Sequence, residues 1–85
     1  MVVLRTERFK KDFRRLPLEV QDRLGKTLEL LAADWRHPSL RVKKMEGAAG
    51  IREFRVTANY RVTFQLAGEE ILLRRVGTHD VLRQP

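Results

Sequence analysis

Arg55, Arg61, Arg74, Arg75 and His79 recur through the last third of an 85-residue chain whose pattern there is otherwise that of apolar strands. A charge among strand residues is costly unless it meets a counter-charge, and like charges directly opposite on a sheet repel. These arginines therefore call for an anion. With 18 Lys+Arg against 11 Asp+Glu and a formal charge of +7, the natural one is a phosphate backbone. Such a set suits metal-free attack of a ribose 2′-OH on its neighbouring phosphate. Arginines would stabilise the charge gathering on the phosphate oxygens, and a histidine, His79, would protonate the departing 5′ oxygen. For the base, three sources stay open: Glu53 on the strand face of Arg55, Glu46, or a lysine set among cations.

The elements that must position these residues can be read from periodicity. Val2 to Leu4 is a short strand. Thr6 caps a helix with apolar positions Phe9, Phe13 and Leu16, at i, i+4 and i+7. Lys10 and Lys11 fall on or beside its outer face and would meet RNA there. Pro17 opens a second helix, with Val20, Leu24, Leu28 and Leu31 as its buried stripe, and this helix ends near Asp34. Glu19 with Arg23 and Asp22 with Lys26 are i,i+4 pairs on its solvated face. From Leu40 the period becomes two. Arg41–Met45, Ile51–Thr57, Tyr60–Leu66 and Glu70–Gly77 read as strands, with Gly47–Gly50 a loop. The order β-α-α-β-β-β-β predicts an α+β fold in which a helical hairpin packs on a mostly antiparallel sheet.

Parity sharpens the placement. Phe54 and Val56 must share the core face with Tyr60, Val62, Phe64 and Leu66, and directly paired residues point to the same side. A three-residue turn, Thr57-Ala58-Asn59, meets this condition with Asn59 left-handed, and sets Arg55 opposite Arg61 on the outer face. A second such turn at Ala67-Gly68-Glu69 would set Arg75 opposite Arg61, with His79 further along. Three arginines and a histidine would then converge on one concave cationic surface. Lys43 and Lys44 alternate, so at most one faces it. Arg52, Arg74 and Arg75 complete the phosphate-binding set.

These residues resemble the RelE/ParE toxin superfamily. The helical opening Phe9-x3-Phe13-x2-Leu16-Pro17 with Val20-Gln21 is similar to its hairpin, and Val42-Lys43-Lys44-Met45-Glu46-Gly47 to its basic strand. Glu53-Phe54-Arg55-Val56 with Asn59-Tyr60-Arg61-Val62 resembles its central hairpin, and Arg74-Arg75-Val76-Gly77-Thr78-His79-Asp80 its last strand. The resemblance spans essentially the whole of residues 1–85, read as a single toxin domain. It implies a toxin of a type II toxin–antitoxin pair that cleaves mRNA in the ribosomal A site without metal, with a cognate antitoxin, the ribosome and mRNA as partners. Carried over, Arg61 would contact the scissile phosphate and His79 would act as acid. Arg55 with Lys43 or Lys44 would hold the RNA backbone. Many active members place an aromatic three or four residues beyond the terminal His or Arg. Here Leu82 and Arg83 stand there, and leucine neither donates a proton nor stacks well.

Composition bounds the rest. A chain 42% apolar and 34% charged is that of a globular protein rather than a disordered tail. Its apolar runs fall far short of the about 20 residues a membrane span needs, so a cytoplasmic protein without membrane contact is expected. With no cysteine, and His37 and His79 far apart, neither a metal site nor a cofactor is expected. Two other readings fit the same chain. One is a non-catalytic toxin of the gyrase-poisoning ParE type, and the other a degenerate toxin or ribosome-binding module that retains only its antitoxin or RNA contacts.

Overall fold

Thr6 starts the first helix as its side chain allows: the extended residue accepts a hydrogen bond from Phe9 N–H at 3.1 Å. The computed structural model describes residues Met1 to Pro85. Strand β1 (Val2–Arg5) leads into α1 (Glu7–Arg14), and Pro17 then opens α2 (Leu18–Ala33). Gln21 ties the two helices by donating from Nε2 to the carbonyls of Phe13 at 3.0 Å and Leu16 at 3.2 Å, the first of which also accepts from Leu16 N–H at 3.1 Å. A 3-10 turn (Pro38–Leu40) precedes β2 (Lys43–Lys44), β3 (Ile51–Arg55), β4 (Arg61–Ala67) and β5 (Glu70–Gly77), and a second 3-10 turn spans His79–Leu82.

The sheet order is β1-β5-β4-β3-β2, parallel between β1 and β5 and antiparallel elsewhere. The helical hairpin covers one face, as expected. Phe9, Leu24 and Leu31 from the helices meet Phe54, Val62, Phe64, Ile71, Leu73 and Val76 from the strands, all essentially without solvent contact. Tyr60 and Leu28 pack against this core half-buried. None of the helices is long and apolar enough to cross a membrane.

Three local expectations are corrected. The strand expected over Arg41–Met45 shrinks to Lys43–Lys44, because Arg41 ends the 3-10 turn in the left-handed region at φ 52°. The first hairpin has the expected register, Phe54 opposite Val62 and Arg55 opposite Arg61. Its closure differs. Thr57 Oγ1 accepts from the N–H groups of both Asn59 and Tyr60 at 3.2 Å, and Asn59 is not left-handed. This side-chain turn removes the need for a positive φ.

The third correction moves arginines. The β4–β5 turn has two residues, Gly68 and Glu69, with Gly68 at φ 60° and Ala67 opposite Glu70. That register alone would drive Arg75 into the core. A bulge between Phe64↔Leu73 and Thr63↔Arg75 absorbs Arg74 and restores Arg75 to the outer face. Arg75 therefore pairs with Thr63, and Arg61 pairs with Gly77.

Candidate functional site

On the outer face, Arg75, Thr63, Glu53 and Lys43 form one cross-strand row, and Gly77, Arg61 and Arg55 the next. Glu53 is only 4% exposed, although it lies on the face away from the core. Its Oε1 lies 3.7 Å from Arg61 Nε and 3.6 Å from Lys43 Nζ. A buried carboxylate needs such counter-charges, so Glu53 links the two cations and holds Arg61 down on the sheet. Arg61 is held with 20% of its side chain exposed, whereas Lys43 reaches out at 69%. For Glu53 to accept a proton from a bound ribose, Arg61 would first have to move aside.

His79 approaches Arg61 through the chain reversal after β5. The 3-10 turn folds back with Val81 buried, and a Cβ at residue 77 would meet Val81 Cγ1 at 2.6 Å. Only glycine lets that turn close against the strand. His79 is exposed and begins the turn rather than continuing the strand. Together with Ala58, Asn59, Tyr60, Arg61 and Thr78 it lines an open cavity of about 390 Å³. Of the expected cluster, this is the part that assembles: Arg61 and His79 in one cavity, with Glu53 and Lys43 behind Arg61.

The remaining predicted residues lie elsewhere. Arg55 stands opposite Arg61 in register but lines a separate cavity of about 240 Å³ with Arg23, Lys26 and Ser39, and its buried Nε has no hydrogen-bond partner. Arg75 donates from Nε to Asp12 Oδ2 at 2.7 Å and from Nη2 to Asp12 Oδ1 at 3.3 Å. Arg74 donates from Nε to the Pro85 carbonyl at 3.0 Å. The convergence of Arg55, Arg61 and Arg75 on one surface is therefore not found. Arg52 lies on the helix side of the sheet, its guanidinium 5.4 Å from the centre of the Trp35 ring, with Lys44 its cross-strand partner. Lys10 pairs with Glu7 at 3.2 Å, and Lys11 lies beside it on α1, away from the His79 cavity.

Sequence reasoning missed Asp12 and Thr63. Asp12 Oδ2 also accepts from Val76 N–H at 3.2 Å, satisfying β5 past the point where β1 ends opposite Leu73. Its signal was a lone carboxylate in a run of Lys10, Lys11, Arg14 and Arg15. Thr63 is fully buried and donates to the Pro85 carbonyl at 3.1 Å, a contact that no local pattern announces.

This arrangement of helical hairpin and sheet is shared. The family model of the ParE toxin of the parDE type II toxin–antitoxin system matches residues 3–82. The chain belongs to this family. The toxin thereby falls within the RelE/ParE superfamily that its motifs resemble. Its fold is similar to that in a RelB–RelE antitoxin–toxin complex from Methanococcus jannaschii, at 23% identity and TM-score 0.78, covering 95% of each chain. It is similar also to a copper-bound mutant toxin from Helicobacter pylori, at 21% identity and TM-score 0.80, covering 96% of this chain and 98% of that one. YafQ from E. coli superposes at 16% identity and TM-score 0.79, covering 94% of each chain. No curated protein matches the toxin significantly in sequence.

Proposed function

We propose that this toxin arrests growth without chemistry of its own, by binding a macromolecular target in the manner of the ParE branch, and that a cognate antitoxin holds it inactive. The observation carrying this reading is the state of the arginines. Charge-stabilising catalysis requires several donors aimed at one developing charge. Here Arg55 faces another cavity, Arg74 and Arg75 are engaged, and Arg61 is paired with Glu53. The family match supports the same branch, whose resemblance implies DNA gyrase as target. Solved toxins of this fold in antitoxin complexes, such as the M. jannaschii pair, support the antitoxin partner.

A specific observation favours a second reading, a ribosome-dependent endoribonuclease. Arg61 and His79 line one cavity, the minimum pair for stabilising a phosphate and protonating a leaving oxygen. Lys43 would then steer the RNA backbone, and Glu53 would serve as base only after Arg61 swung toward the phosphate.

One experiment separates the two. Wild type and the Arg61→Ala/His79→Ala double variant are induced at equal levels, with mRNA 5′ ends mapped and plasmid supercoiling followed. The non-catalytic reading expects arrest to persist in the double variant, with altered supercoiling and no new 5′ ends. New ends in A-site codons that vanish in the double variant would overturn it in favour of the nuclease.

A further inference from the structure

Arg23 and Lys26 sit one turn after Glu19 and Asp22, the spacing that favours ion pairs along a helix. Neither pair forms. The ion pairs of the molecule are Lys10–Glu7, Lys43–Glu53, Arg61–Glu53 and Arg75–Asp12, and none involves α2. Arg23 and Lys26, three residues apart on one side of α2, instead border the cavity of about 240 Å³ that Arg55 borders from the end of β3. Leu30, Leu40 and Val56 supply its apolar wall.

Three cations around one cavity repel one another, and none of them has a carboxylate within ion-pair distance. Arg55 bears the largest cost. Its Nε is the one buried side-chain polar atom of the molecule without a hydrogen-bond partner. A donor left so costs its full desolvation, more for a charged group than for a neutral one. Core packing does not call for a guanidinium here, whereas an anion does. Because Arg55 Nε is covered, a ligand would meet the outer nitrogens of that guanidinium, with the exposed Arg23 and Lys26 closing on it from the rim. The apolar wall strengthens each of these contacts by lowering the local dielectric. A phosphate monoester fits the charge better than a carboxylate. It carries about −1.5 to −2 at neutral pH and three acceptor oxygens, as many as there are cations. A carboxylate brings a single charge, and its two oxygens suit one planar fork.

We infer that Arg23, Lys26 and Arg55 build a binding site for a phosphate monoester, separate from the His79 cavity. This site stands under either reading of the toxin's target. Such a group has two sources, a small phosphorylated ligand and the terminal phosphate of a nucleic acid. Arg55 pairs with Arg61 across the strands, with Cα atoms about 5 Å apart. A nucleic-acid end held here would therefore run on toward the His79 cavity, which Arg61 lines, whereas a small ligand would use the site alone.

Inorganic phosphate is titrated into the intact chain at fixed ionic strength in chloride, and the Nε–H resonance of Arg55 is followed by NMR. We expect a saturable shift there. Arg23→Gln and Lys26→Gln should each weaken it about tenfold, the loss of one charge-assisted hydrogen bond. Both positions are exposed on α2, and amide dispersion checks that the variants are folded. In Arg55→Met, with the backbone amide of Val56 as reporter, saturation should vanish. Lys10→Gln with Lys11→Gln removes two charges from α1 and should change the affinity by less than about twofold, since salt screens distant exposed charges. No shift at Arg55, or an equal loss in the α1 variant, would overturn the inference. A nucleoside monophosphate and a short oligoribonucleotide bearing a 5′-phosphate distinguish the sources: whichever binds more tightly at Arg55 identifies a small ligand or a nucleic-acid end. Equal binding of that oligoribonucleotide and its 5′-hydroxyl form would overturn the choice of a monoester. A stronger response to a glutamate-rich peptide than to any phosphate probe would overturn the choice of phosphate.

Discussion

Two carboxylate–arginine pairs flank the outer face, and they differ in kind. Asp12 grips Arg75 through both oxygens, at 2.7 and 3.3 Å, and takes a backbone N–H of β5 as well. Glu53 stands 3.7 Å from Arg61 and 3.6 Å from Lys43, close enough to neutralise but without the short fork of the first pair. The first pair replaces a strand partner, and breaking it would open the sheet edge. The second is longer and leaves Arg61 beside the His79 cavity, although parting it would leave the buried Glu53 with Lys43 alone. Arginines of similar sequence setting thus divide into one gripped by a short fork and one held at longer range, and the carboxylate partner makes the difference.

The sharpest way to break this contrast is Asp12→Ala. It should cost about 2–3 kcal/mol, somewhat below the range for fully buried pairs because the two side chains keep 14–16% exposure. Chemical denaturation measures it, and a loss under 1 kcal/mol would make the pair ornamental. Glu53→Gln should cost only about 1 kcal/mol while freeing a positive charge. Binding of a single-stranded polyanion should then tighten, with its log–log salt slope steeper by about 0.7 per charge released. An unchanged slope would mean Glu53 does not restrain Arg61 or Lys43. The smallest effect belongs to the third arginine of the set. Arg55→Met keeps the aliphatic stem and removes a buried, unpartnered Nε, so stability should stay level or rise by up to about 1 kcal/mol. A clear loss by thermal melting would show that Arg55 has a partner in solution.

Much of the frame was legible beforehand because it depends on short-range rules. Thr6 caps a helix whichever sheet lies beneath it, and Phe54, Val56, Val62 and Phe64 alternate with a period set by the strand itself. Element order and the helical hairpin follow from the helical and strand periods together, and Arg55 opposite Arg61 follows from the strand alternation. The amino-acid sequence alone determined these, since each needs only neighbours a few residues apart.

What Arg74, Arg75 and Arg55 do was decided only in three dimensions. The bulge at Arg74 shifts the register of β5 and leaves no mark in periodicity, because Leu73 and Val76 both still reach the core. Asp12 meets Arg75 across 63 residues of chain, and Pro85 meets Thr63 across 22. A long cationic side chain goes where an acceptor waits. Alternation sets the face from which it starts, and the packed structure supplies the acceptor.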